Sequence, residues 1–582
     1  EYIASMRDAR SRSHETIEAP PRSPAEAVAL EGSTVLSLHG HLFDSGLINA
    51  ALDVIETSGG RFDVLEVHVR PNASGDAARQ RSSAILQLTL DSGRSGLDTV
   101  LQRLHDLAQR MPMAEAAIVE LPDYCDVFDR TLLPEEGGKA PAAEQAASAA
   151  SPSRRIVVLG AGMCAAPAVE MLSRSGRDTV TVVSAVPGQA AALCETLGRP
   201  PNVTALTLDV SESKTMGPLL GDADAALSLL PATMHAPIAA ECIERGTQLV
   251  TASYISPELE ALHEAAAARG VAILGEMGLD PGMDHMSSVD LIERVRGRGG
   301  AIVGFRSLCG GLPAPESVGP LGYKFSWSPA GVLAACKNSA RYRDGGATVD
   351  VSDALGAARP LGDGKLEVGL PLEVLPNRDS LPYAKLYGID DEATSVFRGT
   401  LRYAGWSGLF GQFAASGLTA AAPLPEGVES WPKLLEALQV EDGGDVGKAM
   451  RSLGVHDGHG LEVGTHATVA DAFCSLLASR LSYGPTERDA VLMENTVDVE
   501  YPGGKSERWV TWLVTYGEGG ERSAMSKTVG LTAALGVQRL LDKEEPPLAG
   551  VQRPTSPSVY QYVLPRLAKE GVGFEETVEV VD

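Results

Sequence analysis

Gly160, Gly162 and Ala165 stand at G-x-G-x-x-A spacing between an apolar run, RRIVVLG, and a helix-forming stretch, AAPAVEMLSRSG, that ends at Gly176. Glycine at position 160 permits the tight turn from strand to helix. Glycine at 162 lets backbone N–H groups approach a pyrophosphate at the helix N-terminus, where aligned peptide dipoles favour negative charge. The loop Gly160, Ala161, Gly162, Met163, Cys164 is therefore the expected cradle of a dinucleotide. The spacing alone is weak, because tight turns in unrelated α/β domains also use glycine. The strand–turn–helix context and the following strand DTVTVVS make it more specific. The end of that second strand selects the nucleotide: an acid there binds the NAD ribose, and an arginine accommodates the NADP phosphate. Val183-Ser184-Ala185-Val186-Pro187-Gly188-Gln189 carries neither. Absence of arginine favours NAD as cofactor, with Ser184 and Gln189 available to a hydroxyl. The strand ends SLLP and TASY are expected to line the crevice above the sheet, bringing Leu230, Ala252, Ser253 and Tyr254 to the cofactor.

These residues need a scaffold, and 582 residues are enough for several domains. Net charge is −27, which argues against nucleic acid or an anionic membrane as partner. An anionic substrate would need local arginine or lysine to reverse that field. The seven cysteines are scattered singly, with no C-x-x-C pair, so no metal site is expected and a reducing compartment is. No apolar run approaches the ~18 residues of a membrane span. The N-terminus, EYIASMRDARSRSHE, lacks an apolar signal region and an initiator methionine, which suggests a piece excised from a longer polypeptide.

Periodicity divides the chain into blocks. Within 33–133, STVLSLHG, RFDVLEVHV, SSAILQLTL and AEAAIVEL read as strands, and FDSGLINAALDVIETSGG and SGLDTVLQRLHDLAQR as helices. That βαββαβ order predicts a small ferredoxin-like domain. Residues 134–153, rich in Ala, Ser, Pro and Gly, read as a linker, and 1–32 as the tail of a preceding region. Residues 154–280 are expected to form a Rossmann-type α/β domain, and 281–527 a second α+β domain for substrate binding or dimerisation, built on a largely antiparallel sheet. Residues 528–582 are expected to return to the nucleotide domain.

Several further motifs, in order, are GEMGLDPGMDHMSSVDLI, CGGLPAPES, YKFSWSPAGVL, PNRDS, FRGTLRY and MSKTVGLTAALG. Together they resemble the glutamate-forming saccharopine dehydrogenases over nearly all of 154–541. HGHLFDSGLINAALDVIE resembles the connecting domain of the bifunctional lysine-ketoglutarate reductase/saccharopine dehydrogenases of plants and algae. The resemblance implies oxidation of saccharopine by NAD and water to glutamate and 2-aminoadipate 6-semialdehyde, in lysine degradation. It implies a homodimer, a reductase region in the same parent polypeptide, and a cytoplasmic location, with the mitochondrial matrix as alternative. It places Ser253, Tyr254, Asp280, Arg378, Thr400, Leu401 and Arg402 at the substrate and Leu279 beside the cofactor. Asp280 is the implied catalytic residue, either taking the amine proton or holding the ammonium; alternatively, as the residue before Pro281-Gly282, it serves only a turn. Arginine suits carboxylates because its planar fork donates two parallel bonds. Arg402 could instead be solvated or paired with an acid, and Lys324 is a further anchor by charge only. Ala185 departs from the acid that animal relatives carry, which weakens strict NAD preference. The alternative functions are a carboxynorspermidine- or homospermidine-type dehydrogenase, with fewer carboxylate anchors, and a non-catalytic nucleotide-binding module.

Overall fold

The computed structural model describes residues 33–40, 51–68 without 53 and 56, 82–90, 93–110 and 117–120, and residues 154–581 without 211–212, 363, 367, 457–460 and 520–521. The expected tail and linker lie outside them. The chain forms two compact units, 1–148 and 149–582.

In the first unit the alternation of SSAILQLTL puts Leu86, Leu88 and Leu90 on one sheet face. The helix Gly93–Arg110 covers that face with Leu97, Val100, Leu101 and Leu104, the i, i+3, i+4, i+7 stripe of an amphipathic helix. The sheet is antiparallel, in the order Gly60–His68, Ser82–Leu90, Ser33–Gly40, Ala117–Glu120. This is the strand order a ferredoxin-like chain takes. The connections 41–50 and 69–81 lie outside the described residues.

In the second unit, runs such as RIVVL and TVTVVS are apolar and β-branched almost throughout, as strands covered on both faces must be. They build a seven-stranded parallel sheet. Counted along the chain from Arg155–Leu159 to Ala272–Leu274, its first six strands lie in the order 3-2-1-4-5-6, that of a Rossmann fold. The seventh, Gly550–Gln552, pairs parallel with Ala272–Leu274. The chain returns to this sheet through the helix Ala524–Leu541, which crosses the phosphate-loop helix Ala165–Ser173. At the crossing, a Cβ on Gly530 would lie 2.7 Å from the Cys164 carbonyl oxygen.

The second sheet has nine strands. At its centre stand Ser395–Tyr403, Ala301–Pro313, Asp489–Glu500 and Ser506–Tyr516. The first two are parallel to each other, and the remaining pairings in this sheet are antiparallel. Its edges were not foreseen. ARYRD and ATVDV flank Gly345-Gly346 and are too polar to announce themselves, yet they pair as a hairpin. The C-terminal strand Glu575–Val581 does not stay with the nucleotide domain; it pairs with Ser506–Tyr516. Alternation in EETVEVV announces a strand but not its partner. WPKLLEALQVEDGGDVGKAMRSLG is broken at Gly443-Gly444 into two helices, Trp431–Ala437 and Asp445–Ser452.

Two glycines should separate packing from ligand space. Gly530→Val overpacks the helix crossing and is expected to cost about 1–3 kcal/mol in thermal or denaturant unfolding. A Cβ on Gly162 would meet nothing within 4 Å. Gly162→Val is therefore expected to melt like the parent while losing most of its dinucleotide affinity; unchanged affinity would remove the loop from the site.

Candidate active site

The fingerprint loop leaves the first strand of the parallel sheet at Gly160, whose φ of +104° places it in the region that favours glycine. A Cβ there would lie 3.3 Å from the Leu229 backbone and 3.4 Å from the Leu230 side chain. Loop residues Ala161, Gly162 and Met163 line a cavity of about 620 Å³ with Gln189, Ser326 and Tyr483. The hydroxyls of Ser326 and Tyr483 are buried without a hydrogen-bond partner, and buried polar atoms usually have one. Open space at Gly162, a turn only glycine accommodates, and waiting hydroxyls fit a pyrophosphate-bearing ligand. Burial, aided by the charge of Asp489, pushes the Cys164 thiol up to about 12, so it stays a neutral thiol. At the second strand end, Ser184 Oγ donates to Gln189 Oε1 at 2.6 Å and accepts from the Val186 N–H. The two expected ribose contacts are thus tied to each other.

The chemical groups gather where the sixth strand gives way to the helix Met283–Gly297. Arg398, on the central strand Ser395–Tyr403 and 2 % exposed, donates from one guanidinium nitrogen to Asp280 Oδ1 and Asp284 Oδ2, each at 2.7 Å. Tyr254 donates its hydroxyl to the same Asp280 oxygen at 2.6 Å. Asp284 also accepts the Gly282 N–H at 2.6 Å. Burial raises the Asp280 carboxyl, but the Arg398 guanidinium and the Tyr254 hydroxyl overcome it and hold it below the usual carboxylate range. Burial pushes Asp284 the other way, and the Asp280 charge adds to that. Burial, with Asp280, raises Tyr254 well above its usual range, so it remains a donor. Arg378 lies exposed with its guanidinium 5.4 Å from the Tyr254 ring centre. Tyr254, Asp280 and Arg378 are thereby brought together from both domains, with Ser253 next to Tyr254 in the chain. Leu279 beside them is buried in the core, and Ala252 closes on Gly278.

Arg402, four residues along the same strand, is 5 % exposed. Its NH1 donates to the Leu401 carbonyl at 2.7 Å, its Nε has no partner, and it lies 5.2 and 4.8 Å from the ring centres of Tyr323 and Trp406. Glu373 stands opposite across the sheet but spends its carboxylate on the Gly405 and Ser407 N–H groups. Among the described residues no carboxylate neutralises Arg402. Thr400 is half-buried between the two arginines. The Leu401 side chain faces the opposite core, leaving only its backbone for a ligand. Lys324 is not a free anchor: Glu487 holds it at 2.7 and 2.8 Å. His285 is structural, fully buried between Glu276 at 2.9 Å and the Tyr387 hydroxyl at 2.7 Å.

Sequence reasoning missed Arg398, although its motif was in view. Period-two alternation puts residues 398, 400 and 402 on one face of a strand, and that signal would have found it. Asp284 looked like an ordinary helix start.

Arg398→Met should show what the pair of carboxylates demands. Removing one partner of a buried ionic cluster costs about 3–5 kcal/mol, measured at pH 7. In the parent, Asp280 has a depressed carboxyl, so its contribution is present above the usual carboxylate range and lost only as pH falls through that lower value. Without Arg398, burial raises both carboxyls, so the variant's deficit should shrink as pH falls toward their unfolded-state values near ~4. Melts from pH 7 to 5 showing a constant deficit would contradict the arrangement.

Comparison with known families matches three stretches of the chain. Residues 33–131 match the LOR/SDH bifunctional enzyme conserved region, 156–274 the saccharopine dehydrogenase NADP binding domain, and 278–572 the saccharopine dehydrogenase C-terminal domain. The alpha-aminoadipic semialdehyde synthase of Arabidopsis thaliana is 32% identical over 100% of this chain and 58% of its own length. The mitochondrial alpha-aminoadipic semialdehyde synthase of Rattus norvegicus is 36% identical over 73% of this chain and 48% of its own. The chain thus spans about half the length of these relatives. The NADP(+), L-glutamate-forming saccharopine dehydrogenase of Schizosaccharomyces pombe is 32% identical over 73% of this chain and 99% of its own. Among solved structures, apo saccharopine dehydrogenase (L-Glu forming) from Saccharomyces cerevisiae covers 73% of this chain and 100% of its own, at 31% identity and a TM-score of 0.66. From its fingerprint loop to its second sheet, this chain belongs to the saccharopine dehydrogenase family.

Proposed function

We propose that the chain oxidises saccharopine with NAD and water to glutamate and 2-aminoadipate 6-semialdehyde, as a step of lysine degradation. The observation that carries the reading is Arg402: a buried guanidinium without a carboxylate is costly unless a ligand supplies one, and saccharopine brings three. Arg378, exposed on the Tyr254 side, supplies a second anchor; the alternative carboxynorspermidine- or homospermidine-type reaction needs fewer carboxylate anchors and would leave one of the two without a partner. Along an extended strand, Arg398 and Arg402 are separated by about 13 Å, so the charged groups engage different parts of an elongated substrate. The match of 33–131 to the bifunctional conserved region supports a reductase half in the same parent polypeptide.

In this reaction the secondary amine loses a proton and the adjacent carbon loses hydride. Water adds to the resulting imine, and the carbinolamine breaks its C–N bond to leave the aldehyde and the amino group of glutamate. When bound, the dinucleotide supplies the hydride acceptor. Everything else falls to side chains. Because Arg398 and Tyr254 keep Asp280 ionised, it is a poor proton acceptor and a good fixed anion. We assign it to the cationic nitrogen, where it stabilises the positive charge of the iminium as hydride leaves. Of the two roles open from sequence, the depressed carboxyl favours this one.

The NAD assignment rests on the strand end: residues 183–189 contain neither lysine nor arginine to meet a 2′-phosphate. The fission yeast relative is named for NADP(+), so the two cofactors must be compared directly. We expect kcat/KM to be at least tenfold higher with NAD; a preference for NADP would overturn the assignment.

If Arg402 clamps a carboxylate, Arg402→Lys should hurt almost as much as Arg402→Ala, because lysine keeps the charge but not the two-pronged geometry. A lost charge-assisted bond costs about 1.5–3 kcal/mol, or roughly ten- to a hundredfold in kcat/KM for saccharopine, with the KM for NAD unmoved. A lysine variant with full saccharopine activity would defeat the clamp.

A further inference from the structure

One buried histidine lies outside all of this. His235 opens the helix that follows the fourth strand of the parallel sheet and is 2 % exposed. Its Nδ1 lies 3.2 Å from Ser228 Oγ, at the end of that strand, and its Nε2 3.0 Å from Ser253 Oγ, beyond the end of the fifth. Burial lowers the ring to about 4, so near neutral pH it carries one proton and offers one donor and one acceptor. Ser228 is fully buried, and the ring is the partner its hydroxyl has. If Nδ1 carried the proton, Ser228 could only accept, and its own O–H would be left buried and unmatched, which is costly. If Nε2 carries it, Ser228 donates to Nδ1 and the ring donates to Ser253. Ser253 is half-buried and precedes Tyr254 in the chain; accepting from the ring, it turns its own hydrogen away from it.

We propose that His235 is a positioning residue that fixes Ser253 as a hydrogen-bond donor to a carboxylate oxygen of the substrate. The relay runs one way, Ser228 to His235 to Ser253 to ligand, and is set by the unmatched-donor cost at Ser228. The substrate named rests on the saccharopine reading; the direction of the relay does not.

Two measurements test it. In protein labelled with ¹⁵N-histidine, with His235→Gln identifying the resonance, the ring should be neutral at pH 7 with its proton on Nε2; a proton on Nδ1 overturns the relay whatever the substrate. In steady-state kinetics, Ser253→Ala and His235→Phe should each lower kcat/KM for saccharopine about tenfold, and the double variant should be no worse than Ser253→Ala. The KM for NAD should stay within about twofold, since a shift there instead would make the cofactor the acceptor and overturn the substrate role. Additive losses, near a hundredfold, would mark His235 as merely structural. If the phenylalanine variant fails to fold, His235→Met, which likewise has no hydrogen to donate, replaces it in the same cycle. Should the parent fail to turn over saccharopine while Nε2 carries the proton, the functional reading fails and the relay stands.

Discussion

A single guanidinium joins the halves of this catalytic unit. Arg398 rises from the middle of the nine-stranded sheet and binds two carboxylates, Asp280 and Asp284, that belong to the exit of the nucleotide-binding sheet and the helix after it. Withdrawing three charges from water is expensive, and the cluster is tolerable because each carboxylate has a second donor and the arginine lies 4.0 Å over the Tyr383 ring. The geometry also leaves the Nε and NH1 of Arg398 without partners. The cluster is thus tuned for a fixed negative charge at the cleft rather than for maximal stability.

An overall charge of −27 repels an anionic substrate at long range. Under the proposed function, two arginines with different characters would reverse that sign. Arg378 is exposed and free to move onto a ligand. Arg402 is buried between aromatic rings, where water competes little and a carboxylate would be held strongly. Lysine is not used this way: Lys324, close in sequence to the aromatic wall, is neutralised by Glu487. Under the proposed function, the recessed arginine and the ionised aspartate would divide the recognition of a zwitterionic substrate between them.

The two sheets are interlocked by the end of the chain. The helix Ala524–Leu541 packs on the phosphate-loop helix, Gly550–Gln552 extends the parallel sheet, and Glu575–Val581 returns to the other sheet. The fingerprint loop and the sheet that carries Arg398 and Arg402 are therefore held by one continuous C-terminal segment. That is a rigid way to place groups from distant sequence positions within hydrogen-bond reach.

Much of this was written locally in the sequence. The G-x-G-x-x-A turn, the apolar β-branched runs of a doubly covered sheet, and the alternation of FRGTLRY each follow from nearest-neighbour sterics and burial, so residues alone determined the nucleotide fold and the strand that carries Arg402. What the residues left open were relations between distant segments. Whether Arg402 met an acid, whether Lys324 was free, which partner Arg398 chose and which sheet claimed EETVEVV depend on contacts across tens to hundreds of positions. Pairwise electrostatics and strand pairing are decided by distance in space, and only the tertiary structure sets those distances: it gave Lys324 a glutamate, left Arg402 without a neutralising carboxylate among the described residues, and held the Asp280 carboxyl below its usual range.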